Sequence, residues 1–182
     1  KGKPGTPMPL PESLHLEKGH FPPGTFVPSA KLASNGLLEV RAVIFAPNNE
    51  MFVADRAADC VRIYQARTGR HLRNLSQQTD QLDRPIHLLL SPDGRYLLIG
   101  SGGKDSILRH DLRQGSTSVF VEPKSAGLDG PAGMAFGDDG FLYVASRNSK
   151  KILRYGIDGR PHGKPFINDL ADNPEFLMLV AR

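Results

Sequence analysis

The chain has 182 residues, a net charge of +4, 39% apolar and 23% charged residues, the balance of one globular domain with a sizeable core. No apolar run approaches the ~18 residues that a bilayer span needs. The single cysteine, Cys60, excludes an internal disulfide, and the basic residues are spread along the chain rather than gathered as a dedicated nucleic-acid face would gather them.

Residues 1–23, beginning "KGKPGTPMPLPESL", read as an N-terminal extension without the apolar core of a signal peptide. Residues 24–182 read as repeats. "GTFVPSAKLASNGLL" (24–38) resembles "TSVFVEPKSAGLD" (117–129), the outer strand and exit of a repeat, and "SLHLEKG" (13–19) fits a third strand before it.

From Val40 onward the same unit recurs. Val40, Pro85, Pro131 and Pro174 start equivalent segments, with spacings of 45, 46 and 43 residues read from their numbers. Each unit opens with an apolar strand: 40–46, 85–91 or 131–137. A turn follows, "PNN" (47–49), "PDG" (92–94) or "DDG" (138–140), in which Asp-Gly and Asn-Asn tolerate the positive φ of a two-residue hairpin, and Asp93-Gly94 and Asp139-Gly140 are expected to form type I′-like turns. The second strands are 51–55, 96–100 and 142–146, and the third strands 61–65, 107–111 and 152–156. After turns at Gly69, Gly115 and Gly159 comes a fourth strand containing Leu72, Phe120 or Phe166. The C-terminus, "NPEFLMLVAR", reads as the inner strand of a further unit.

Periods of roughly 40–50 residues built from four short antiparallel strands describe an all-β propeller, in which stacked sheets bury the faces that a lone sheet leaves exposed. The blades are expected at about 40–84, 85–130 and 131–173, with partial blades at 24–39 and 174–182. A compact four-bladed ring, an arc closed by another chain, and a piece of a six- or seven-bladed ring are all compatible with this pattern. The third is preferred because the sequence breaks off inside a blade.

The stretch "GPAGMAFGDDGFLYVASRNSKKILRYGIDG" (130–159) resembles a unit of the NHL-repeat β-propellers, above all the bacterial secreted type, which are related to lactonase and streptogramin-lyase propellers. The likeness extends over about 24–182. It implies a secreted or periplasmic location. Its functions range over protein- and RNA-binding modules, an amidating lyase and lactonases, so the fold alone does not choose among them.

Propeller sites lie at the mouth of the central channel. By position in the repeat, Arg41, His87 and Glu175 are expected to face the axis as ligand-binding candidates. His87 is the one candidate for catalysis, as an acid–base group of a lactonase- or lyase-like site, and Arg41 with Glu175 reads equally as a structural pair. A second candidate surface is a ring of loop bases, Arg56, Lys104, Arg147, Lys150 and Lys151, suited to an anionic ligand or RNA. His110 shares a column with Tyr64 and Tyr155 and reads as a packing residue. Asp55 reads as a tie to neighbouring backbone, aligned with Gly100 and Ser146. Asp59, Asp105 and Asn148 read as turn formers. No phosphate loop, CxxC, HExxH or GxSxG motif is present. No cofactor is therefore expected, and a divalent metal in the channel would need more inward-facing donors than this set supplies. The expected function is a non-catalytic scaffold for another protein, the partner being a protein or the polypeptide that completes the ring. Membrane insertion is not expected, and nucleic acid is the least favoured partner.

Overall fold

The computed structural model describes residue 27 and residues 36–75 and 80–178. The segments 1–26 and 28–35, with the expected outer strand at 24–34, the third-strand reading of 13–19, and His15 and His20, lie outside the described residues, as do 179–182.

Three antiparallel sheets follow one another along the chain. The first consists of β1 (Val40–Phe45), β2 (Glu50–Asp55), β3 (Cys60–Gln65) and β4 (His71–Asn74) in sequential order. The second consists of β5 (Pro85–Leu90), β6 (Tyr96–Ser101), β7 (Ser106–Asp111) and β8 (Thr117–Val121). The third has β9 (Pro131–Phe136), β10 (Leu142–Ser146) and β11 (Lys151–Tyr155). The only helical turns among the described residues are two short 3-10 turns, Arg56–Ala58 and Ser125–Gly127. This is the blade order of an all-β propeller.

The alternation of side chains along each strand explains the stacking. In β6, Leu97 and Ile99 point to one face and join Phe52, Ala54, Val61 and Ile63 of the first sheet. Leu98 between them points the other way and joins Met134, Leu142, Val144 and Leu153 of the third. The middle sheet is thus buried on both faces. Its inner strand β5 lies between β1 and β9, which makes these three strands the axial lining.

Four details differ from the sequence reading. The hairpins between first and second strands are not type I′ turns, because only one residue in each has positive φ: Asn49 (62°), Gly94 (65°) and Gly140 (79°). Its N–H closes a β-turn onto Ala46, Ser91 or Gly137, the geometry of a longer hairpin loop ending in a left-handed bulge. The preceding Asn48, Asp93 or Asp139 accepts a hydrogen bond from the N–H two residues on, which stabilises the turn without requiring positive φ at its own position.

The second turn is also one residue longer, by Arg95. Ser101, not Gly100, therefore stands opposite Pro85, as Asp55 stands opposite Val40 and Ser146 opposite Pro131.

Among the described residues the third sheet has no fourth strand. Residues 161–167 follow its outer edge only through isolated bridges, Tyr155 with Pro161 and Ile152 with Ile167. Pro161 and Pro165 have no N–H to give to a ladder.

Residues 173–178 do not form the expected inner strand. No further strand stands beside them among the described residues, and they run as irregular chain. They do pack on the third sheet, where Leu177 meets the cluster of Ala132, Ala145 and Ile152.

Candidate functional site

The ends of the second strands, the loops after them and the starts of the inner strands share one face of the array, because Val40 pairs with Asp55, Pro85 with Ser101 and Pro131 with Ser146. Just inside this face every inner strand is irregular, with register shifts between Val40 and Ala42, between Pro85 and Leu88, and opposite the step from Val144 to Ser146. Bulges re-aim side chains, and Arg41 and His87 lie in these irregular stretches.

Arg41, His87 and Glu175 line one cavity of about 300 Å³ together with Val40, Ile86 and Phe176. Arg41 and Glu175 are not an ion pair, however: Glu175 Oε1 accepts from Arg147 Nε at 2.5 Å. That bond pins the irregular segment 173–178 to the loop after β10. His87 is half-buried, and its Nδ1 is buried with no hydrogen-bond partner. Burial lowers its pKa, which favours the neutral ring. A neutral imidazole with an unpaired nitrogen at a cavity can bind a donor or relay a proton. Among the described residues no three His, Cys, Asp or Glu side chains are grouped closely enough to hold a metal ion.

The loop bases separate. Arg56 and Arg147 line a second, smaller pocket of about 80 Å³ with Arg84, Ile86, Gly102, Gly130 and Asn148. Lys104 is exposed and Lys151 half-buried, and neither lines this pocket. Lys150 is turned to the chain itself, with Nζ donating to the Ala171 carbonyl at 3.1 Å. Arg84 was missed by the sequence reading. The available signal was its position directly before an inner strand, where the next repeat has Gly130.

The acidic residues of this face serve the backbone. Asp55 accepts the N–H groups of Leu38 (3.1 Å) and Glu39 (2.9 Å) and the Nε of Arg62 (2.8 Å). Burial alone would raise its pKa, but these hydrogen bonds outweigh it and hold the carboxyl below its ordinary value. Ser101 and Ser146 do the same work in the other blades, accepting the N–H of Asp83 (3.0 Å) and Asp129 (2.9 Å). Asp59 and Asp105 are more than turn formers. Each accepts a backbone N–H from the entry to the next blade, Arg84 (3.0 Å) and Gly130 (2.9 Å), so each latches one blade to its successor. Asn148 donates to the Asp129 carboxylate at 2.7 Å.

The remaining candidates are packing groups. His110 is 1% exposed, stands 6.3 Å from Phe52 and shares a hydrogen bond of 3.0 Å with Thr117. Tyr155, in the same column, donates its hydroxyl to the Ser125 carbonyl at 2.8 Å. Cys60 is buried, and burial raises its thiol pKa, which suppresses the thiolate.

The family of seven-bladed β-propeller lactonases matches residues 74–163, the stretch that contains β5 to β11. Comparison with curated proteins gives no match. Several solved structures are similar. The periplasmic gluconolactonase of Pseudomonas aeruginosa is 22% identical with a TM-score of 0.59, over 78% of this chain and 42% of that one. A catalytically inactive histidine-to-alanine variant of virginiamycin B lyase from Staphylococcus aureus, solved with quinupristin, is 17% identical with a TM-score of 0.61, over 75% and 44%. Hydrazine synthase of Kuenenia stuttgartiensis is 18% identical with a TM-score of 0.62, over 86% and 42%. The chain spans less than half of each of these proteins, and at such identities the likeness is one of fold. The resemblance to NHL-type and lactonase-like propellers seen in the repeats agrees with both comparisons.

Proposed function

We propose that this chain, an array of propeller blades similar to those of lactonase-like proteins, is a binding and assembly module for another protein, working through its loop face. The observation that carries this reading is the use of the acidic side chains there. Asp55, Asp59 and Asp105 hold backbone N–H groups and Glu175 holds Arg147. Carboxylates fixed in this way stiffen a scaffold and are poor proton carriers, whereas stiff loops on a stacked core suit recognition. The test is an assay of acid release from γ- and δ-lactones with added magnesium or manganese. The binding reading expects the same background rate from the parent and from His87→Ala.

A second reading, a lactonase- or lyase-like site at the channel mouth, is favoured by one observation: the unpaired Nδ1 of His87 beside a cavity that also contains Glu175. The family match at residues 74–163 points the same way. Turnover in the same assay that disappears in His87→Ala would replace the first reading by this one.

A further inference from the structure

We infer that Arg56, Arg84 and Arg147 form a binding site for a single oxyanion group, carboxylate or phosphate, of a small molecule whose apolar body lies in the neighbouring cavity beside His87. The inference is independent of the protein-binding reading above.

The three guanidinium side chains come from three different blades and line one small pocket. Their convergence follows from the repeat. The first residue after each second strand is Arg56, Gly102 and Arg147 in turn. In the middle blade a side chain would displace the end of Ile86, since a Cβ on Gly102 would stand 2.5 Å from Ile86 Cδ1 and 3.2 Å from the Arg84 carbonyl oxygen. A glycine thus stands between the two flanking arginines.

Arg84 supplies the third guanidinium. Its φ is 46°, in the left-handed region that side chains disfavour, and Gly130 takes the corresponding place in the next blade with φ of 62°. Both donate their N–H to the preceding blade's aspartate. The latch would form equally well with glycine at 84. Seven other non-glycine residues among the described ones share the left-handed region, so it is the place of its side chain in the pocket that singles out Arg84. That side chain is 56% exposed and forms an ion pair with Asp83 at 3.8 Å, longer than a hydrogen bond.

Arg56 and Arg147 are held in place by Glu39 (2.9 Å) and Glu175 (2.5 Å), each through one nitrogen. A guanidinium has five N–H donors, and its planar fork matches a carboxylate or phosphate. The pocket's volume of about 80 Å³ suits a head group rather than a whole ligand. Ile86 is shared with the 300 Å³ cavity, and the Arg147–Glu175 pair joins the two, so a ligand body would run from the arginines past Val40 and Phe176.

The test uses the whole chain at low salt, with calorimetric titration of phenylacetate, phenyl phosphate, inorganic phosphate and neutral phenylacetamide. Phenylacetate or phenyl phosphate is expected to bind more tightly than inorganic phosphate and phenylacetamide, and the tighter of the two identifies the head group. Arg84→Gly is expected to weaken that binding about tenfold or more, the loss of a charge-assisted hydrogen bond, while melting no lower than the parent. Arg84→Gln, which keeps a side chain of similar reach without the charge, is expected to lose affinity likewise. Unchanged affinity in either variant, or no saturable binding of any of the four probes up to about 10 mM, would overturn the assignment.

Discussion

Asp55 and Arg62 form a buried ion pair at 2.8 Å, and the corresponding pairs in the next two blades are Ser101 with Leu108 and Ser146 with Leu153. The two positions change together: an acid with a base, or a hydroxyl with an apolar side chain. The hydroxyl suffices to tie down the backbone before the inner strand, and the extra charge of Asp55 is matched by Arg62. Removing one partner leaves the other buried and uncompensated, so Asp55→Ser alone is expected to cost about 3–5 kcal/mol. Asp55→Ser with Arg62→Leu recreates the other blades' arrangement and is expected to recover at least about 2 kcal/mol of that loss. Denaturant melts of the two singles and the double measure the coupling. Strict additivity would show that the pair does not act as a unit.

The turns offer a comparison of two glycines with the same backbone and different surroundings. Gly140 (φ 79°) has nothing within 4 Å of a Cβ position, whereas at Gly159 (φ 78°) a Cβ would fall 1.8 Å from the Phe120 carbonyl oxygen of the preceding blade. Gly140→Ala is expected to cost about 1 kcal/mol, the strain of a left-handed alanine. Gly159→Ala adds a backbone collision between blades and is expected to cost about 2 kcal/mol more. Asn49 occupies the place of Gly140 in the first blade with φ of 62°. Gly140→Asn should accordingly be milder than Gly140→Val. Equal melting temperatures for the alanine variants at 140 and 159 would contradict the close approach of the blades.

The blades were legible in the sequence because three features recur together: Asn or Asp two or three residues before the second strand, an apolar run within it, and glycine after the third strand. Each has a local physical cause. What was not legible depends on single insertions and on contacts between blades. Arg95 lengthens one turn and moves the backbone tie from Gly100 to Ser101, which spacing from Asp93-Gly94 could not reveal. The proline pair 161 and 165 removes the last strand of the third sheet, although Phe166 still lies on its edge. Arg41, His87 and Glu175 were placed near one another by repeat position alone. The partner of Glu175 was not foreseen, because Arg147 reaches it from the loop after β10.

Two histidines should make the fold sensitive to mild acid. Burial lowers the pKa of His87, and burial with the nearby Arg73 lowers that of His110 against the smaller opposing pull of Glu50 and Asp111. Both shifts favour the neutral ring in the folded chain, whereas an unfolded histidine titrates near about 6.5. Below that value the unfolded chain binds protons that the folded chain refuses. Stability therefore falls as pH drops through the window from about 6.5 down to the folded pKa values. Aspartates with lowered pKa, such as Asp55, lose their contribution only at lower pH. The melting temperature is expected to decline from pH 7 to pH 5, and His110→Gln, which does not titrate, should make the decline shallower. An identical slope in parent and variant would remove His110 from this account.

The segment 173–178 is held on the third sheet by an unusual contact. A Cβ on Gly133 would stand 2.5 Å from the Leu177 nitrogen and 2.7 Å from the Phe176 carbonyl carbon, so the two backbones meet where β9 lacks a side chain. Leu177 fills the gap between Ala132, Ala145 and Ile152, and Glu175 anchors the approach through Arg147, while Phe176 and Met178 are 80% and 84% exposed. Gly133→Ala puts a methyl group into main-chain atoms that cannot rotate away as a side chain would. The segment is expected to lift from the sheet. Amide exchange at 175–178 should rise by about tenfold or more, and the 300 Å³ cavity beside His87 should lose the wall formed by Glu175 and Phe176. The ladder of β9 to β11 does not involve the segment and should keep its protection. Exchange at 175–178 that is unchanged in Gly133→Ala would show that the segment is held by something other than this contact.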